Sequence, residues 1–284
     1  MDRAMIRDIL VPYVNEDSAT AAMPAALALA ERFDAGLALL VTVEVPPPMP
    51  TDWGAMAFEV YAQLHADARA LAQARADALR ARFAHGARPV EIRMAESWSL
   101  FPQNTASMHA HYADLVVLPG WPRAGGDAMS LHDHVHDLLR HGGRPLLVVP
   151  AGHAAAVPPK RALIAWSPTR EAARAVADAM PLLRLAETVE VVVVDPRRGD
   201  DAHGAEPGAD IAAHLARHGL RVTVSVRTAM NFSVAYAVLD HARDIGADLL
   251  VAGGYGHSRL RESVLGGTTR ELLQTAHLPV LFAH

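Results

Sequence analysis

Short apolar runs recur along the chain, and the stretches between them have helical spacing and composition. IRDILVPYV (6–14), GLALLVTVEV (36–45), PVEIRMAE (89–96), ADLVVLP (113–119) and PLLVVP (145–150) read as strands. Near-continuous Val, Ile and Leu marks strands buried on both faces, as in a parallel sheet. Helices are expected from Ser18 to Phe33, from about Glu59 to Phe83 and from Thr105 to Tyr112, with PPPMPTDWGAMA (46–57) as a loop. The same alternation follows in the second half. RALIAWS (161–167), TVEVVVVD (188–195), LRVTVSVRT (220–228), ADLLVAG (247–253) and PVLFAH (279–284) read as strands. TREAARAVADAMPLL (169–183), Ile211–His218 and SVAYAVLDHARDIG (233–246) read as helices. Strands alternating with helices indicate an α/β fold with crossover helices on both faces.

The two halves are copies of one unit. ADLVVLPG at 113–120 and ADLLVAGG at 247–254 share five of eight residues at an offset of 134, and that offset also carries Pro145 onto Pro279. DILVPYV near residue 8 matches RALIAWS near 161 at a larger offset, so the first copy holds an insertion of roughly one to two dozen residues. The linker reads as AGHAAAVPPK (151–160), which sets expected domains at 1–152 and 160–284. PLLVVP and PVLFAH would be exposed apolar sheet edges, so the copies are expected to pack together through them.

Candidate chemistry concentrates in GGYGHSRLRESVLGGTTRELL (253–273). An apolar strand leads in, and RELLQTA reads as a helix, with Thr268 and Glu271 spaced as a capping box. A strand, a glycine-rich loop and a helix start together offer free N–H groups and a helix dipole to a phosphate. No Lys follows the glycines, so this is not a Walker A loop. Gly256 and Gly266 are too far apart for the dinucleotide fingerprint.

The spacing Gly253-x2-Gly256-x9-Gly266, with GGYGHSRLRE and VLGG around it, resembles the nucleotide loop of the universal stress protein family. The resemblance covers nearly the whole chain, as a tandem of two family domains, and is strongest in the second. It implies two five-stranded parallel sheets of order 3-2-1-4-5 and a stress-response binding protein. It also implies an ATP-type ligand at the switch point between first and fourth strands, with Ser167 opposite Gly253. The implied contacts are Ser167, Gly253, Gly256, Arg259, Gly266, Gly267 and Thr268. The match has departures. Nucleotide-binding members usually carry Asp where Ser167 stands, and a hydroxyl does not replace a charge-assisted bond. Gly267 stands where the family favours Ser or Thr, and Thr268 either reaches a phosphate or only caps its helix. Arg259 and Arg261 either neutralise a polyphosphate or pair with Glu262. The first copy has WPRAGGDAMSLHDHV after Gly120, where Pro119 and Pro122 remove donors, so ATP is expected in the C-terminal copy alone.

Composition narrows the partners. The net charge of −5 argues against a general nucleic-acid or anionic-membrane binder, and the absence of cysteine removes disulfides and thiolate chemistry. No signal-peptide core or membrane-length apolar run is seen, so a cytoplasmic protein is expected. His132 and His136 lie one turn apart beside Asp133 and Asp137, half of a zinc site; a solvated helix start is the alternative. Neither a G-x-S-x-G elbow nor HExxH is present, so no catalytic residue and no metal ligand is assigned. Three functions remain: a non-catalytic nucleotide-binding stress protein, a nucleotide-free dimeric scaffold, and last a slow ATPase or His-metal hydrolase. Two chains are expected to associate as a homodimer. Met49, Trp53, Met56 and Phe58 form an apolar insertion that suits a lid, a dimer contact or simple packing.

Overall fold

The computed structural model describes residues 5–44, 54–97, 103–121, 128–152, 158–196, 206–254 and 267–284. Ten strands form one sheet: β1 (Asp8–Pro12), β2 (Gly36–Glu44), β3 (Glu91–Ser97), β4 (Leu115–Pro119) and β5 (Leu146–Val149) in the first half. The second half supplies β6 (Arg161–Ala165), β7 (Thr188–Val194), β8 (Val222–Arg227), β9 (Leu249–Gly253) and β10 (Val280–Ala283). Their order is β3-β2-β1-β4-β5-β10-β9-β6-β7-β8. Each half is therefore parallel with order 3-2-1-4-5, as the resemblance implies. The halves meet where β5 and β10 pair antiparallel, with Leu147 opposite Leu281 and Leu146 opposite Phe282. The apolar edges expected to pack together do so, by joining into one sheet.

Among the described residues the α-helices are α1 (Met23–Phe33), α2 (Gly54–Phe83), α3 (Gln103–Ala110), α4 (Ala128–Asp137), α5 (Arg170–Leu183), α6 (Ala209–Arg217), α7 (Val234–Asp244) and α8 (Gly267–Thr275). Strand residues alternate between two cores. Ile9, Val117, Leu147, Ile164 and Val251 face α1, α2, α5 and α6, whereas Leu10, Val116, Leu146, Leu163 and Phe282 face α3, α4, α7 and α8. Both cores cross the seam, and each fully buried Leu, Val or Phe contributes about 1.5–3 kcal/mol.

The insertion resides mostly in α2, whose thirty residues compare with nine in its counterpart α6. α2 begins at Gly54, inside the stretch read as a loop. Side chains 49, 53, 56 and 58 lie outside the described residues. The Asp shared by the two ADL repeats has a structural role. Asp114 accepts from the backbone N–H groups of Arg7 and Asp8, and Asp248 from those of Lys160 and Arg161. Each ties the start of its copy's first strand to its fourth, at the sheet end away from the glycine-rich loop.

Candidate functional site

β6 and β9 run side by side and parallel, from Ala162 opposite Leu249 to Ala165 opposite Ala252. The chain leaves them in different directions, β6 to α5 and β9 to the glycine-rich segment. This is the switch point at which an open α/β sheet presents a crevice. Ser167 lies two residues past β6 and is half-buried. Its carbonyl accepts from Thr169 N–H, and among the described residues its hydroxyl has no hydrogen-bond partner. Thr169 caps α5 by accepting from Ala172 N–H at 3.2 Å.

Gly253 ends β9 without a positive φ. What requires glycine is closeness, because a Cβ there would lie 2.7 Å from Ala172 N and 2.8 Å from the Glu171 carbonyl carbon. The first turn of α5 is thus seated directly on Gly253. Gly254 follows, with His284 Nδ1 at 3.1 Å from its carbonyl oxygen.

Gly267 opens α8 and is exposed; among the described residues, its chain neighbours and own helix backbone aside, no atom lies within 4 Å of where its Cβ would stand. Thr268 is exposed in the same first turn, and Thr269 is buried. The expected capping box is not the arrangement found. α8 already includes Thr268, and the Glu271 carboxylate accepts from Ser233 Oγ, which itself caps α7 by accepting from Tyr236 N–H. Gly256, Arg259, Gly266 and the loop that carries them lie outside the described residues. So do His257 and Ser258.

One acidic group near the crevice escaped the sequence reading. Glu171, in the first turn of α5, is buried and accepts from Arg170 Nε at 2.6 Å. Burial pushes its carboxyl up, but bonds from Arg170, its own N–H and Thr169 outweigh this and hold it below the ordinary glutamate range. A capping Thr followed by an acid two residues on was its only signal in the sequence.

The histidine cluster is not wholly solvated. His132 and His136 stack at 6.3 Å between ring centroids on α4, and burial lowers the His136 pKa. His134 and Asp137 are buried, so α4 is not simply a solvated face. Asp137 accepts from Ser107 Oγ of α3 and holds His141 Nδ1 at 2.9 Å. Among the described residues no three His, Asp or Glu side chains group as a metal site. A second network joins β7, β8 and α7: Glu190 Oε1 accepts from Ser225 Oγ and bonds His241 Nε2, both at 2.6 Å, while Arg227 Nε donates to His241 Nδ1. These partners lie on three separate elements, and no local spacing announced them.

Sequence comparison matches the universal stress protein family twice, over residues 5–150 and 159–284. The chain belongs to the universal stress protein family. A curated universal stress protein of Synechocystis sp. is 42% identical over 45 residues, a stretch covering only 16% of either chain. The crystal structure of a universal stress protein from Archaeoglobus fulgidus DSM 4304 superposes with a TM-score of 0.62. It is 13% identical, covering 97% of this chain and 95% of that one. A functionally unknown protein from Pseudomonas aeruginosa PAO1 gives a TM-score of 0.58 at 15% identity, covering 98% and 92%. At such identities the structures establish the fold, shared here along the full tandem. Family members are usually non-enzymatic and some bind ATP. Among the described residues no helix is long and apolar enough to cross a membrane.

Proposed function

We propose that this chain is a non-catalytic, cytoplasmic stress-response protein that binds one ATP-type nucleotide, in its C-terminal half. The observation that carries the reading is the pairing of an open switch point with a helix start. Ser167 follows β6 by two residues, Gly253 ends the neighbouring β9, and α8 begins at Gly267, directly after the glycine-rich loop. In this reading Gly256, Gly266 and Gly267 let backbone N–H groups approach the phosphates, and Thr268 and Arg259 add contacts. Ser167 faces the ribose or base as a neutral partner, which implies modest affinity. The binding unit is residues 160–284; the 1–152 unit lacks the loop. Calorimetric titration of ATP into the full chain and into its Gly266→Val variant tests this. Binding at one site per chain that the variant abolishes is expected, and no binding, two sites per chain, or binding unchanged in the variant overturns the reading.

A nucleotide-free dimeric scaffold is the second reading, and one feature favours it. Met230, Phe232, Val234 and Tyr236 are exposed beside edge strand β8, with Phe232 and Tyr236 stacked at 4.5 Å. Exposed apolar patches of this kind mark contact surfaces. Light scattering on the full chain separates the two readings when combined with the titration: a dimer that ignores ATP supports the scaffold.

A further inference from the structure

A cavity of about 190 Å³ lies on the seam between the two halves. Val148 of β5 with Val280 and Phe282 of β10 form its floor, and Leu272 and Leu273 of α8 close one side. Trp121, half-buried just past β4, stands among the lining. Gln274, Thr275 and His277 bring polar atoms to it. Among the described residues, no Asp, Glu, Lys or Arg side chain lines it.

The repeat explains why there is space. At the offset of 134, Leu139 corresponds to Leu273 and Gly254 to Gly120. On one side of the seam the gap is filled, because a Cβ on Gly254 would lie 3.1 Å from Leu139 Cδ1. On the other side, the atoms nearest a Cβ on Gly120 are backbone atoms of Pro150 and Val149, and Leu273 borders the cavity. The two segments also differ in winding. Leu139 sits in a wide π-type turn over Leu138–Gly142, whereas α8 carries Leu273 as regular α-helix. An inserted π-turn re-aims the side chains it carries.

We propose that this cavity binds a small uncharged molecule with one aromatic ring and one hydrogen-bonding group, of the phenol or indole class. Its size is somewhat above that of an engineered apolar cavity, about 150 Å³, that takes benzene. The apolar floor and the Trp121 indole suit a ring, in the offset or edge-on contacts that aromatic pairs prefer. Gln274 and His277 offer partners for a single polar group, and the Thr275 hydroxyl, which donates to the Glu271 carbonyl, offers an acceptor only. A phosphate or carboxylate would meet no Lys or Arg side chain there, so a neutral ligand is favoured over an anion. None of the residues implied as nucleotide contacts lines it, and the proposal does not depend on nucleotide binding.

Indole titrated into the full chain, followed by calorimetry and ligand-observed NMR, tests this. Saturable binding is expected with a dissociation constant of about 1 mM or tighter. Phenol is expected to bind, and phenyl phosphate, the same ring with a dianion, is not. Leu273→Phe and Ala276→Leu each fill the cavity from a different position and are expected to weaken indole binding at least about tenfold. Circular dichroism checks that each variant folds, and either one suffices if the other does not. Three results overturn the proposal: no saturable binding of indole or phenol up to their solubility, indole binding unchanged in a folded filling variant, or phenyl phosphate binding as tightly as phenol.

Discussion

At the scale of single residues, the switch point separates side chains the fold needs from those a ligand would need. Gly253 belongs to the first group, since α5 backbone occupies the space a Cβ would take. Gly253→Ala must push a helix off a buried strand, and a loss of about 1–3 kcal/mol is expected in urea denaturation. Thr268 belongs to the second. It is exposed inside α8, so Thr268→Ala is expected to change stability by less than about 0.5 kcal/mol. Any loss in ATP affinity should be near one neutral hydrogen bond, about 1 kcal/mol, read by calorimetry. Ser167→Asp tests the missing acid: affinity for ATP should rise by up to about tenfold if the carboxylate gains a ribose hydroxyl. Weaker binding would mean that the crevice, with Glu171 already in the first turn of α5, does not accept a second anion.

At the scale of elements, the strands were legible because burial on both faces leaves continuous apolar runs. Nine fall within the segments read as strands, and β3 runs one residue past its segment, to Ser97. Helix ends were less legible. The Thr268–Glu271 spacing fits a capping box, yet Glu271 finds Ser233 of α7 instead, a partner 38 residues away. The Glu190–His241–Ser225–Arg227 network was invisible for the same reason. Its value can be read from pH. Burial pushes the Glu190 carboxyl up, but bonds from Ser225 and His241 and the nearby Arg227 charge outweigh this and lower its pKa. A lowered folded pKa stabilises the fold above the unfolded value of about 4.3, and that contribution is lost as pH falls through the folded value. Urea midpoints should therefore drop as pH falls below about 4.3. The drop should be smaller in Glu190→Gln, which removes the titrating group while keeping an acceptor for Ser225. An equal slope in both proteins would place the acid sensitivity elsewhere.

At the scale of the whole molecule, the repeat at an offset of 134 and the two apolar closing strands were enough to foresee the join. What they left open was how tightly it couples the halves. The answer lies in β5 and β10, which pair antiparallel with no break in the sheet, and in two cores that both run across them. Phe282 is fully buried at this seam, opposite Leu146. Truncating such a side chain costs about 3–5 kcal/mol, transfer and cavity terms together. If the halves unfold as one unit, calorimetry should show a single transition. Phe282→Ala should then lower its midpoint as a whole, by about 5–8 °C for a chain of this length. If the seam is only a contact between independent domains, two transitions should appear, and the variant should move mainly the one belonging to the C-terminal half. A shared sheet and shared cores favour the first outcome, because removing Phe282 exposes β5 of the first copy as much as β10 of the second.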